Sequence, residues 1–375
     1  MKKITALLLM LTMVLMMSAC GNDAPADQTT TETGAGANET AQTEDVADAS
    51  DVTVGFILVG PVGDGGWSYS HNEGRLALEQ ELGVKTLYKE SVPENQEVEG
   101  EIRNMIDQGA SIIFATSYGY MNYVEELSKE FPDVTFFHCS GYKQTDNMSN
   151  YFGRIYEARY LSGIVAGLKT ETNHIGYVGA FPIPEVVRGI NAFTLGARSV
   201  NPDVEVEVVW TSTWYDPAIE KEAAIALLDN GADIIAQHQD TGGPQQAAQE
   251  RGAYSIGYHT DMSDVAPNAV LTSVVWNWND FYIDRVSAVI DGTYESEAYW
   301  GGMDSGMVGL TDISDFAADG TQEALDAAIA EGVHVFTGEI KDQEGNVKVA
   351  EGETLTDDEL LGMSWFVEGV NGKIQ

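Results

Sequence analysis

Residues 52–82 decide the fold, and they read VTVGFILV GPVGDGGWSYSH NEGRLALEQEL, with breaks after residues 59 and 71. The first segment is an apolar, β-branched run, which predicts a buried strand. The third segment has the leucine and alanine spacing of an amphipathic helix. A strand, a glycine-rich loop and a helix make the first unit of a doubly wound α/β sheet. Because ligands of such sheets lie outside the carboxyl ends of the strands, the loop is the first candidate binding site.

The composition of this loop excludes two common kinds of site. It lacks the Gly-Lys-Ser/Thr ending of a phosphate-binding P-loop, and its glycine spacing does not match the dinucleotide fingerprint. Its glycines allow the backbone to approach a ligand closely, Asp64 can accept hydrogen bonds, and Trp67 offers a large flat face. These features favour a neutral, planar ligand that donates hydrogen bonds. A tight turn around a buried Trp67 explains the same residues equally well.

The N-terminus has the pattern of an export signal. Two lysines precede an apolar run, which ends in small residues at Cys20. This end resembles the lipobox of bacterial lipoproteins, and the resemblance implies a signal peptide over 1–19, a lipid on Cys20 and a protein anchored on the outer side of the cell membrane. An ordinary signal peptide with an incidental cysteine is the alternative. Residues 20–50 are acidic and have no aromatic residue, which predicts a disordered tether.

Composition narrows the possible partners. The formal net charge of −40 argues against nucleic acid or an anionic lipid surface as a partner. After Cys20 the only cysteine is Cys139, so no intramolecular disulfide is expected in the exported chain, and Cys139 is expected in the core. We expect a monomer without a cofactor.

Strand-like and helix-like runs alternate from residue 52, which predicts βαβ units and mostly parallel sheets flanked by helices. The pattern restarts after residue 155, so an α/β fold of two lobes is expected. Lobe boundaries are predicted as 51–155 with about 277–303 for lobe 1, and 156–276 with about 304–375 for lobe 2. The strand Val270 to Trp276 and the helix Phe281 to Ile290 are interpreted as the return to the first lobe.

Polar and aromatic residues follow the predicted strands where the two lobes would face one another. Any one of them is more often a packed loop residue than a ligand contact, but their repetition in both halves predicts a cleft. The candidate residues are Tyr118, Phe181, Trp214, Asp240, His259, Asp261 and Trp276.

Several stretches, in order along the chain, resemble the basic membrane protein family, the substrate-binding lipoproteins of ABC importers that include purine nucleoside receptors. The matching stretches are 60–74, 114–121, 183–193, 214–217, 232–238, 256–258 and 271–276. The resemblance implies a type I periplasmic-binding-protein fold, with a hinge of crossing strands and a purine in the interlobe cleft. It also implies permease and ATPase subunits as partners.

The resemblance also implies roles for individual residues. Trp67 holds the position of the aromatic residue that stacks on the base, and Asp64 and Ser68 hold neighbouring polar positions. Asp240 is a reasonable acceptor for the N–H donors of the base. Trp276 or Phe181 would enclose the other side of the ring.

Two positions depart from the nucleoside receptors of the family. Where those receptors carry an aspartate and a lysine that grip the ribose, this chain has His259 and Trp276. The departure favours a free nucleobase such as adenine, with a nucleoside as the alternative. His259 can equally be a hydrogen-bonding side chain or a solvated loop residue.

Three other classes of function compete with a purine binder. An enzyme is disfavoured because no nucleophile elbow, metalloprotease helix or paired-cysteine motif is present. A metal-uptake protein would use the histidines near strand ends, but their spacing matches no ligand pattern and would leave the aromatic residues unexplained. A sugar binder of similar architecture remains the main competitor, since it would use the same tryptophan faces and acidic side chains. The histidines concerned are His71, His138, His238 and His259.

Overall fold

The computed structural model describes residues 49–374 and begins with the expected strand, loop and helix. Strand β1 (Thr53–Ile57) is buried along its whole length, and helix α1 spans Trp67–Leu82. The helix starts five residues earlier than the apolar spacing predicts. It does so because the Asp64 carboxylate accepts hydrogen bonds from the N–H groups of Gly66, Ser68 and Tyr69, at 2.8–2.9 Å. These bonds satisfy N–H groups of the first turn, which have no partner within the helix.

The first lobe continues with alternating strands and helices, as the sequence predicts. Its further elements are β2 (Lys85–Lys89), α2 (Glu97–Asp107), β3 (Ile112–Ala115), α3 (Met121–Glu130), β4 (Thr135–Cys139) and β5 (Met148–Gly153). Short 3-10 helices lie at Ala49–Asp51 and Tyr118–Tyr120. Cys139 is buried in the core, as expected.

The second lobe repeats this alternation. Its elements are α4 (Ile155–Lys169), β6 (His174–Gly179), α5 (Pro184–Val200), β7 (Glu205–Trp210), α6 (Pro217–Asp229), β8 (Ile234–His238), α7 (Gly243–Arg251), β9 (Tyr254–His259) and β10 (Val270–Trp276).

The remaining elements are shared between the lobes. They are α8 (Trp278–Ile290), β11 (Ala298–Gly301), β12 (Val308–Leu310), α9 (Thr321–Ala330), β13 (Ile340–Lys341), β14 (Val347–Val349), α10 (Asp357–Leu361) and β15 (Val370–Asn371). Strands β13 and β14 form a short antiparallel hairpin.

Two large sheets organise the described residues. The first has the order β11-β5-β4-β3-β1-β2, and all of its pairs are parallel. The second has the order β12-β10-β9-β8-β6-β7-β15, in which only β12 runs antiparallel to its neighbour. This confirms a two-lobed α/β fold with mostly parallel sheets.

Three segments cross between the lobes. They lie between β5 and α4, between β10 and α8, and between β11 and β12. The crossings contact one another, since Arg154 N donates to Gly301 O at 2.7 Å and Asn277 N donates to Met307 O at 2.9 Å. Together they form the hinge.

One expectation about the path of the chain needs correction. The sequence predicts that strand β10 returns to the first lobe, but the strand pairs with β9 inside the second sheet. Only α8, which follows the crossing at Asn277, packs on the first lobe against α1. A buried parallel strand has the same apolar composition in either sheet, so its sequence cannot distinguish the two.

The predicted signal peptide over 1–19 and lipidated Cys20 lie outside the described residues, as does the predicted tether up to residue 48. Among the helices of residues 49–374, none combines the length and apolar character needed to cross a membrane.

Candidate functional site

A small cavity with a volume of about 30 Å³ lies between the carboxyl ends of the two sheets. Five of the predicted residues line it: Trp67, Tyr118, Trp214, Asp240 and His259. The other lining residues are Val59, Ser117, Ser140, Glu185 and His238.

Most of the lining residues that the sequence analysis did not predict could have been found from their positions in the sequence. Ser117 lies two residues past the carboxyl end of β3, Ser140 directly follows β4, and His238 is the last residue of β8. The strand-end rule that found Tyr118 and Asp240 therefore extends to them. Glu185 lies in the first turn of α5, within the matching stretch 183–193.

Trp67 is locked in place at the start of α1. Its indole N–H donates to the carbonyl oxygen of Thr116 at 2.7 Å. Trp276 and Trp278 meet the ring edge-to-face, at centroid distances of 5.6 and 5.7 Å. Because the orientation is fixed before a ligand arrives, the ring loses little entropy on binding.

Asp64 and Ser68 build the loop and are not on the cavity wall. The Asp64 carboxylate is occupied by the three N–H groups of the loop and of α1, and the Ser68 hydroxyl accepts the Gly60 N–H at 2.9 Å. Burial raises the pKa of Asp64, and the hydrogen bonds from the loop oppose that rise. Asp64 instead borders a separate surface pocket beside Tyr215.

A chain of hydrogen bonds runs from β10 to the cavity. The Trp276 indole N–H donates to His259 Nδ1 at 3.0 Å, and His259 Nε2 lies 3.1 Å from Asp240 Oδ1. Burial raises the pKa of Asp240 well above its ordinary range and holds the pKa of His259 well below its own. His259 has a positive φ of 71°, a region where histidine is one of the better-tolerated residues. His259 is therefore a buried hydrogen-bonding side chain.

A second histidine lies beside this chain. His238 Nε2 is 3.2 Å from Glu185 Oε1 and 3.3 Å from the Tyr258 hydroxyl. Burial lowers the pKa of His238, although Glu185 opposes the shift. The Arg159 guanidinium lies 3.6 Å from the centre of the Tyr258 ring, and that ring stacks on His259 at 3.6 Å.

The other predicted aromatic residues form a layer around the cavity. Phe181 packs edge-to-face on Trp214 at 5.1 Å, so Trp214 reaches the wall and Phe181 supports it. Trp276 stacks on Trp278 at 4.9 Å and stands behind His259. Asp261 is exposed and accepts the Ser263 N–H.

The two lobes contact each other at the glycine-rich loop between β1 and α1. The Thr260 hydroxyl donates to the Gly65 carbonyl oxygen at 2.6 Å. A Cβ atom placed on Gly66 would lie 2.7 Å from the carbonyl carbon of Asp240, and closer still to its oxygen. The structure is therefore a closed form, in which glycine is the only residue that fits at this position.

The histidines do not assemble into a metal centre. Across residues 49–374, no group of three or more His, Cys, Asp and Glu side chains is placed to hold a metal ion. His71 bonds to the Tyr282 hydroxyl at 2.5 Å, and His138 Nε2 bonds to the Ser117 carbonyl at 2.8 Å. Both side chains are buried among core residues.

Two parallel-sheet lobes, a three-segment hinge and a closed cavity with aromatic and acidic walls define a substrate-binding protein. The chain belongs to the family of PnrA-like ABC transporter substrate-binding proteins, whose model matches residues 51–344. This confirms the family predicted from the sequence. Proteins of this kind are not enzymes; they work outside the cytoplasm with permease and ATPase subunits.

Individual relatives agree with this assignment. A purine-binding protein of Brucella abortus is 44% identical over 326 residues, which is 86% of this chain and 93% of that protein. A putative ABC transporter glucose-binding protein of Haloferax volcanii is 38% identical over 92% of this chain and 87% of its own length. A solute-binding protein of an ABC transporter system from Conexibacter woesei has a similar fold, with a TM-score of 0.61 at 24% identity over 75% of this chain and 97% of that one.

Proposed function

We propose that this protein captures a purine, as a free nucleobase such as adenine, and delivers it to the permease of an ABC importer. The observation that carries the proposal is the wall formed by Asp240, His259 and Trp67. It combines one buried carboxylate with a fixed aromatic ring. An N–H donor of the ligand would bond to the carboxylate, and the base would stack on the indole, which contributes about 1–3 kcal/mol. The purine-binding relative from Brucella abortus supports this ligand class.

The preference for a base over a nucleoside rests on His259 and Trp276. Each satisfies the other, because the indole donates to the imidazole at 3.0 Å. The two side chains therefore lack the free hydrogen-bonding groups with which the aspartate and lysine of nucleoside receptors hold the ribose. A ribose placed there would displace a formed hydrogen bond without an equivalent replacement.

One observation favours a nucleoside as the second candidate. A larger groove of about 520 Å³ adjoins the cavity and shares Tyr118, Ser140 and Glu185 with it. Its wall includes Trp300 and Arg188, so a sugar attached to the base would find both an aromatic ring and a hydrogen-bond donor there.

Two measurements test the proposal. Mass spectrometry identifies the small molecule that co-purifies, and calorimetry then measures binding of adenine, adenosine, guanine, hypoxanthine and glucose. We expect adenine to bind at least tenfold more tightly than adenosine. Tight binding of adenosine would favour the second candidate. Binding of glucose without any purine would replace both with the sugar class.

Trp67→Ala is expected to weaken adenine binding at least tenfold, about 1.4 kcal/mol, because the stacking surface is lost. Trp67→Phe keeps an aromatic ring but loses the hydrogen bond to Thr116 and part of the stacking area, so it should retain more of the affinity than Trp67→Ala. Calorimetry measures both, and circular dichroism checks their folding. Equal affinity in the alanine variant and the unaltered protein would rule out stacking on Trp67.

We also propose that Cys20 carries the lipid anchor and that the mature chain acts as a monomer. The sequence pattern of residues 1–20 supports the anchor. The mass of the mature N-terminal peptide and sedimentation of a soluble form test the two points. An unmodified Cys20, or a stable dimer, would contradict them.

A further inference from the structure

Trp276 does not line the cavity, but it contacts His259, which does. Its indole nitrogen can only donate a hydrogen bond, so His259 Nδ1, 3.0 Å away, must accept. In a neutral imidazole one nitrogen accepts and the other carries the proton. The proton of His259 therefore lies on Nε2, which faces Asp240 Oδ1 at 3.1 Å.

We propose that Trp276 is a positioning residue that fixes the tautomer of His259 and thereby keeps Asp240 a hydrogen-bond acceptor toward the ligand. The inference rests on the proposed function for the ligand's identity, but the tautomer itself is a property of the empty protein.

The opposite tautomer would reverse the polarity of the site. With the proton on Nδ1, the lone pair of Nε2 would face the carboxylate, and two acceptors at 3.1 Å would leave both without a donor. The simplest relief is a proton on Asp240, which would then donate. Such a site would select ligands that present an acceptor in place of an N–H group. Trp276 would thus act on specificity without contacting the ligand.

The charges around His259 determine whether its ring can gain a second proton or can only change the position of the single proton it carries. His259 is fully buried, and the nearby cation of Arg159 also opposes a positive imidazole. Its protonation is therefore unfavourable, and only the position of its single proton is open. The ionisable groups around His259 are Asp240, His238, His71, Arg159 and Tyr258. Those around Asp240 are Asp64, Glu185, Glu220, Glu94 and His259.

The chain offers a matched pair of tryptophans for the test. Trp276→Phe removes the indole N–H that bonds to His259. Trp278→Phe removes an indole N–H that bonds to the Ser70 hydroxyl at 3.2 Å. Both rings are buried and meet Trp67 edge-to-face at nearly equal distances, 5.6 and 5.7 Å. Both variants therefore alter an edge-to-face contact with Trp67, but only Trp276→Phe removes the bond to His259.

Nitrogen NMR of the ¹⁵N-histidine-labelled protein without ligand reports the tautomer directly, and an H259N variant assigns the signal. We expect the Nε2–H form in the unaltered protein and in Trp278→Phe, and a shift toward Nδ1–H or a mixture in Trp276→Phe. An Nδ1–H or charged His259 in the unaltered protein would overturn the proposal, even if Trp276→Phe failed to fold. So would an unchanged tautomer in folded Trp276→Phe.

Calorimetry with adenine supplies the functional half of the test. We expect Trp276→Phe to bind adenine at least tenfold more weakly than Trp278→Phe. In a protein that already carries H259N, adding Trp276→Phe should weaken binding little more, because position 259 then has no imidazole whose tautomer could change. Equal losses in the two tryptophan variants would reduce Trp276 to a packing role and overturn the proposal. If no purine binds the unaltered protein but the tautomer result holds, the proposed function fails and the tautomer assignment stands.

Discussion

Gly66→Ala is expected to weaken ligand binding at least about a hundredfold, ~2.7 kcal/mol, while leaving each lobe folded. The added methyl group would lie 2.7 Å from the carbonyl carbon of Asp240. Gly66 belongs to the loop of the first lobe and Asp240 to the second, so the collision arises only when the lobes meet. Opening at the hinge relieves it. The ligand would then lose the contacts that it makes only in the closed form.

Gly63→Ala is the matched control for this prediction. Gly63 lies in the same loop, and a Cβ atom there would meet nothing within 4 Å. Calorimetry measures the affinity of both variants, and small-angle X-ray scattering measures whether adding ligand reduces the radius of gyration. Gly66→Ala should stay expanded, and Gly63→Ala should contract. An unaltered affinity in Gly66→Ala would show that closure does not depend on this contact.

The sequence predicted those features of the site that follow from strand order. Tyr118, Trp214, Asp240 and His259 were found because each follows or ends a strand, and the carboxyl ends of parallel strands share one edge. The two-lobed fold followed in the same way from alternating apolar runs and from the family's motifs.

The features that the sequence did not predict depend on which hydrogen-bond partner each side chain takes in the folded protein. Asp64 could have faced a ligand, but the unpaired N–H groups at the start of α1 occupy its carboxylate. Trp276 could have reached the wall, but His259 lies between it and the cavity and accepts a hydrogen bond from its indole N–H. Neither outcome is visible in residue type or spacing, because each depends on which partner lies nearest in the folded chain.

Asp240→Asn is expected to weaken adenine binding at least about thirtyfold, ~2 kcal/mol, by removing the acceptor that faces the ligand. The amide oxygen would turn to His259, whose Nε2–H still needs an acceptor. The amide N–H groups would then meet the N–H groups of the base. Asp261→Asn is the control, because it removes a charge from the same edge of the sheet but its carboxylate is exposed and bonds to Ser263.

The pH dependence of binding provides an independent measurement of the same group. Burial, and then the charges of neighbouring carboxylates, raise the pKa of Asp240 well above its usual range. An N–H donor binds the ionised form, so protons compete with the ligand, and affinity should fall as the pH drops through this raised pKa. His259 should not contribute, since its own pKa is held well below its ordinary value. With the titration of the ligand subtracted, Asp240→Asn should flatten the profile, and Asp261→Asn should leave it in place.

The two measurements together separate a ligand-binding carboxylate from a structural one. If Asp240 only held His259 in place, asparagine would still accept from Nε2–H, and adenine would bind nearly as well. If Asp240 accepts from the ligand, the variant should also change preference, since hypoxanthine presents a carbonyl oxygen where adenine presents an amino group. The ratio of adenine to hypoxanthine affinity should then fall in Asp240→Asn. An unchanged ratio together with a retained pH profile would place the acceptor elsewhere on the wall, with Glu185 as the remaining acidic residue that lines the cavity.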